Sequence, residues 1–111
     1  MVSTPVVSFV VVELQILYNK LNEIHKSKQF AIDAKSATPS TAVEMARLKV
    51  AMDKCVELDN VVKIDMSNGR LIMKQTMSLI KYIRQDILCF CSPGQAAEVG
   101  CMFTPLQIRF A

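Results

Sequence analysis

The sequence predicts an all-α chain: an antiparallel three-helix bundle or long helical hairpin, with non-helical N- and C-terminal segments. Three observations carry this expectation. The stretch from Arg70 to Cys91, RLIMKQTMSLIKYIRQDILCFC, sorts into two faces when wound as a helix. At 100° per residue, Ile72, Met73, Thr76, Leu79, Ile80, Ile83, Ile87, Phe90 and Cys91 share a sector about 120° wide. Arg70, Lys74, Lys81 and Arg84 fall within about 80° on the opposite side. Second, Val10, Leu14, Leu17, Leu21 and Ile24 step by 4, 3, 4 and 3, the a/d spacing of a coiled coil. Third, two clusters of turn-forming residues, SATPST at 36–41 and Ser67-Asn68-Gly69, divide the chain into three helical lengths.

In chain order, MVSTPVVS at 1–8 holds Pro5 and few helix formers, and is expected to be extended. PVVSFVVVE has the β-branched content of a buried strand but runs without a break into the first helical stripe. The first helix is placed at about residues 10–35. Tyr18 and Ile32 extend its apolar face, and Lys28 interrupts it. Pro39 disfavours helix at Thr38 and suits the first turn of a new one. Thr41-Ala-Val-Glu44 reads as a capping box. The second helix then covers about 39–66, with Met45, Leu48, Ala51, Met52, Cys55, Leu58, Val62 and Met66 on its stripe. Asp59 lies inside that stripe, and Lys63 follows four residues later as a local ion-pair partner.

Gly69 can take the left-handed conformation that ends many helices. A β-hairpin is the rival reading of 61–74, because VVKIDMSNGRLIMK alternates about Asn68-Gly69. The helix-turn-helix is favoured, since the flanking stripes extend far beyond a hairpin. The third helix covers about 70–91, and residues 92–111 form an irregular tail. SPGQ at 92–95 reads as a turn, and Gly100 and Pro105 as further breakers. Leu106, Ile108 and Phe110 alternate with polar residues, so a short terminal strand pairing with the Val-rich start is a further option.

At 111 residues the chain is the size of one domain. Hydrophobic residues make up 51% and Trp is absent, so the apolar mass is aliphatic and suits helix packing. A domain this small and this apolar is expected to leave some apolar surface for a partner. The net charge is +3, and the basic excess sits on 70–91, where Asp86 is the sole acid. Val6–Val12 is preceded by no Lys or Arg, which argues against a secretory signal, and is too short to span a bilayer. Four Cys in 111 residues is not disulfide-scaffold density. The expected location is cytoplasmic or nuclear.

Chemistry-bearing patterns are thin. Cys89-Phe-Cys91 and Cys101 form CxCx9C, whereas structural zinc sites use paired CxxC or CxxH knuckles. Cys55 and Cys91 read as small buried hydrophobes. His25, the sole histidine, sits at the edge of the first stripe as a boundary residue. The acids Asp53, Glu57, Asp59 and Asp65 stand among lysines, as on a solvated helix face. Met45, Met52, Met66, Met73 and Met77 lie on or near helical stripes, which suits gap-filling in a core or an adaptable binding surface. No phosphate-binding glycine loop, HExxH or GxSxG is present.

The chain therefore reads as a non-enzymatic helical interaction or assembly module. No catalytic, cofactor or metal site and no small-molecule substrate is expected. The expected partner is a second copy or another protein, met through the seam of Val10, Leu14, Leu17, Leu21 and Ile24. The alternative is a small nucleic-acid-binding protein. Its basic stripe of Arg70, Lys74, Lys81 and Arg84 would track phosphates over roughly 21 Å.

Overall fold

Each helix in this chain is laid against its neighbour by a face that the sequence makes apolar. The computed structural model describes the backbone of residues 4–64 and 69–110, and side chains at 12–64 and 69–102. Its elements are α1 (Thr4–Asp33), α2 (Thr41–Ile64), α3 (Gly69–Tyr82) and α4 (Pro93–Phe110). A π turn at Ile83–Ile87 and a 3-10 turn at Leu88–Phe90 extend α3. The all-α expectation holds, but the described residues form four helices and not three. No described residue is in a strand, so neither the hairpin about Asn68-Gly69 nor the terminal strands are found among them.

α1 begins six residues earlier than expected, and its 30 residues would reach about 45 Å, close to the 49 Å length of the molecule. Its end is a Schellman closure. The amide of Ser36 donates to the Ala31 carbonyl at 2.9 Å, and that of Lys35 to Ile32 at 3.0 Å. The closure puts Lys35 at φ 57°, a left-handed conformation that glycine would take more cheaply.

The start of α2 departs from the box expected at Thr41 and Glu44. The Thr38 amide donates to Thr41 Oγ1 at 3.1 Å and the Thr41 amide to the Thr38 carbonyl at 3.1 Å, so a tight turn through Pro39 leads into α2. The Glu44 amide instead donates to the Ser40 carbonyl at 3.0 Å. The Glu44 carboxylate is thereby left to reach α1, where it meets Lys28 Nζ at 3.0 Å. Lys28 also lies 4.9 Å from the Phe90 ring centroid. The lysine that breaks the apolar stripe of α1 thus ties α1 to the start of α2 and the end of the α3 extension. Lys28 with Glu44 at one end, and Leu14 and Tyr18 lining one cleft with Cys55 and Asp59 at the other, make α1 and α2 antiparallel.

Gly69 is the first residue of α3, not a left-handed helix end, and no described glycine has positive φ. Ile83, Ile87 and Cys91 are spaced by four. In a regular α-helix each such step drifts about 40° off one line. The wider π turn, with the Leu88 amide donating to the Ile83 carbonyl, counters that drift and keeps Ile83 and Ile87 buried together.

The irregular tail expected at 92–111 is α4. Ser92 and Gln95 form a capping box: the Gln95 amide donates to Ser92 Oγ at 3.3 Å, and the Ser92 amide to Gln95 Oε1 at 3.2 Å. Pro93 follows the cap at the first helical position. Lys20 Nζ meets Glu98 Oε2 at 2.5 Å, and Val99 is fully buried against α1 and its neighbours. One cluster of buried residues joins α1, α2, the α3 extension and α4.

Candidate functional site

α3 is held by its dry face and by Tyr82, which leaves its other side facing solvent. Ile72, Thr76, Leu79, Ile80, Ile83 and Ile87 are buried. Thr76 is tolerated there because its hydroxyl donates to the Ile72 carbonyl at 2.7 Å. The Tyr82 hydroxyl donates to the Arg47 carbonyl of α2 at 3.3 Å, and Lys54 Nζ lies 5.5 Å from its ring centroid. Burial, and then the charge of Asp86, hold the Tyr82 phenol above its ordinary value.

Arg70, Lys74, Lys81 and Arg84 are all exposed. They share the outward side with Met77, 49% exposed, and with Met73, which the periodicity put on the dry face but which is 41% exposed. Lys74, Met77, Ser78, Ile80, Lys81 and Arg84 line an open groove of about 600 Å³.

The seam expected on α1 is placed differently. Leu14, Leu17, Leu21 and Ile24 are buried in the chain's own core, where α2 and α4 cover them. The Val10 side chain lies outside the described residues. Spacing identifies the buried face correctly, but α2 and α4 of the same chain, not a second copy, supply its cover. On the opposite side of α1, Val12 and Ile16 remain 55% and 43% exposed.

Asp59 and Lys63 make the expected pair at 2.8 Å, and His25 is half-buried at the edge of the stripe. Among the described residues, no three His, Cys, Asp or Glu side chains gather as metal ligands would. No helix searched among them is long and apolar enough to cross a membrane.

The four thiols are free and differ in setting. Cys89 and Cys101 are exposed. Cys91 is half-buried and donates to the Ile87 carbonyl at 3.3 Å, and burial raises its pKa against the opposing charge of Lys28. Burial pushes the Cys55 thiol from its ordinary 9.0 up to about 12. A chromogenic disulfide at mild alkaline pH is therefore expected to titrate two thiols rapidly, with Cys91 slower and Cys55 released only on unfolding. Below pH 9.0 the Cys55 thiol is neutral in both states and gives pH no leverage. Above it the unfolded chain ionises first, so this group's contribution to stability falls as pH rises toward about 12. A chemical-denaturation midpoint that drops less in Cys55→Ala than in the parent over that range checks the sign.

Comparison of the chain with protein-family models, with curated proteins and with solved structures returns no match.

Proposed function

We propose that this chain is a non-enzymatic helical assembly module that associates with copies of itself through the outward side of α1. The observation that carries the reading is the exposure of Val12 and Ile16. They stand four residues apart, so they are neighbours on one helix face. A helix buried along one side normally turns polar residues to water along the other. Here the opposite side opens with apolar residues, beginning at Val12, the last residue of the Val-rich run from Val6 to Val12. Further along α1, Phe30 lies eighteen residues beyond Val12, five turns on and on the same line, and is 75% exposed. A two-fold contact sets the same patch against itself and needs no second protein to close it.

Light scattering across tens to hundreds of micromolar tests this. The parent is expected to show a reversible rise in molar mass. Val12→Glu with Ile16→Glu is expected to hold the monomer mass with helical content unchanged, because neither side chain is in the core. A parent that stays monomeric throughout, or a mass that ignores both substitutions, ends the proposal.

A further inference from the structure

The outward side of α3 has a composition that solvent alone does not explain. Residues 70–85 contain no Asp or Glu. Their cations are interleaved with two half-exposed methionines, and a groove with Ile80 among its lining runs beside them. Met73, Met77, Arg70, Lys81 and Lys74 fall within about 100° of the helix surface. The ion pairs of Lys20, Lys28 and Lys63 involve none of Arg70, Lys74 and Lys81.

We propose that this face of α3 binds an acidic amphipathic helix of a partner protein. A helix laid along the groove can cover Met73 and Met77 with apolar residues at heptad spacing. It can set carboxylates seven residues apart against Lys74 and Lys81, which are themselves seven apart. Unbranched, polarisable methionine adapts to such a partner without a preformed pocket. Charge complementarity selects an acidic helix over a basic or neutral one.

A nucleic acid fits this face less well. Phosphates would engage the cations but leave Met73 and Met77 uncovered. Stacking of bases needs aromatic rings, and Tyr82, the only aromatic residue in 70–85, is engaged with Arg47 and Lys54 of α2. A second copy of this chain fits less well too. Glu44, Asp59 and Glu98 are taken by lysines of the same chain, and the exposed acids Asp53 and Glu57 of α2 stand among Lys49, Lys54 and Lys63. The inference is independent of self-association through α1, since a monomer presents the same face.

The test is fluorescence anisotropy with a labelled three-heptad peptide carrying Leu at a and d and Glu at e and g. Two further probes are the same peptide with Lys in place of Glu and a short DNA duplex. The acidic peptide is expected to bind the parent, and the basic peptide not to bind. Lys74→Glu with Lys81→Glu should weaken binding about tenfold or more, and Met73→Ser with Met77→Ser several-fold. Circular dichroism should show unchanged helical content in both variants, because all four side chains are exposed. Binding that ignores both pairs of substitutions places the peptide elsewhere and overturns the proposal. Duplex DNA bound in a manner lost on charge reversal, with no affinity for the acidic peptide, overturns it in favour of a phosphate-tracking surface.

Discussion

Ile83→Asp is expected to abolish the cooperative thermal transition of this chain. Ile83 is fully buried where α3 passes into the π turn, and it belongs to the same core cluster as Ile80 and Ile87. The substitution removes an aliphatic side chain worth about 1.5–3 kcal/mol of burial and puts a carboxyl in its place. An unpaired carboxylate there costs several kcal/mol more, against a typical stability of roughly 5–15 kcal/mol for a domain. The penalty has a sign in pH. The buried carboxyl stays protonated while the unfolded chain's ionises near pH ~3.9, so the variant weakens as pH rises above that value. Partial recovery of a melt toward pH ~4, and a milder loss in Ile83→Asn, distinguish charge burial from a simple packing defect. A neutral-pH transition within a few degrees of the parent's would show that this face is not core.

The features legible in the sequence were those written as periodicity. The stripe of α3 predicted the buried set from Ile72 to Ile87, and the step pattern of α1 predicted which face of that helix is dry. Local pairing was legible as well, since Asp59 and Lys63 needed only an i,i+4 spacing to meet. Periodicity says that a face is covered but not by what: the seam of α1 reads as a contact with a second copy, whereas α2 and α4 of the same chain cover it.

Gly100 and Pro105 read as breakers, and so hide α4. The overlooked signal was Ser92-Pro93-Gly94-Gln95, a capping box with proline at the first helical position. Thr38-Pro39 before α2 and Thr4-Pro5 at the start of α1 repeat the same Ser/Thr-Pro pairing. Thr104-Pro105 repeats it inside α4 without ending the helix, so the pair marks a start only where a break precedes it. Gly100 is accommodated because nothing lies within 4 Å of the site a Cβ would occupy, and its cost is the modest one of glycine in a helix. The valines in the first turns of α1 favour a strand by propensity, yet the backbone is helical from Thr4, as weak intrinsic preferences permit. The partners of Lys28 are remote in sequence and carry no spacing signal: Glu44 is sixteen residues away, and Phe90 is farther still.

Leu17→Lys with Leu21→Lys is expected to unfold the whole chain, α2 and α3 included. A seam reserved for a second copy would give a different result: a lower molar mass with the other helices intact. The burial of both side chains decides between them, because each is fully enclosed by the chain's own core. Truncating one buried leucine costs about 2–5 kcal/mol, and two neighbouring losses fall in one packed region. Each lysine adds an ammonium that must either stay charged out of water or give up its proton. Together these exceed the roughly 5–15 kcal/mol that holds a domain of this size. Far-UV circular dichroism should show loss of helix across the chain, and amide resonances should collapse to the dispersion of an unfolded polypeptide. Val12→Glu with Ile16→Glu, on the opposite side of the same helix, should keep the helical content and the amide dispersion of a folded chain. If α2 and α3 keep dispersed amide resonances in the Leu17, Leu21 variant, then α1 is an appendage to a self-sufficient pair, and its leucine face is open to exchange with a second copy.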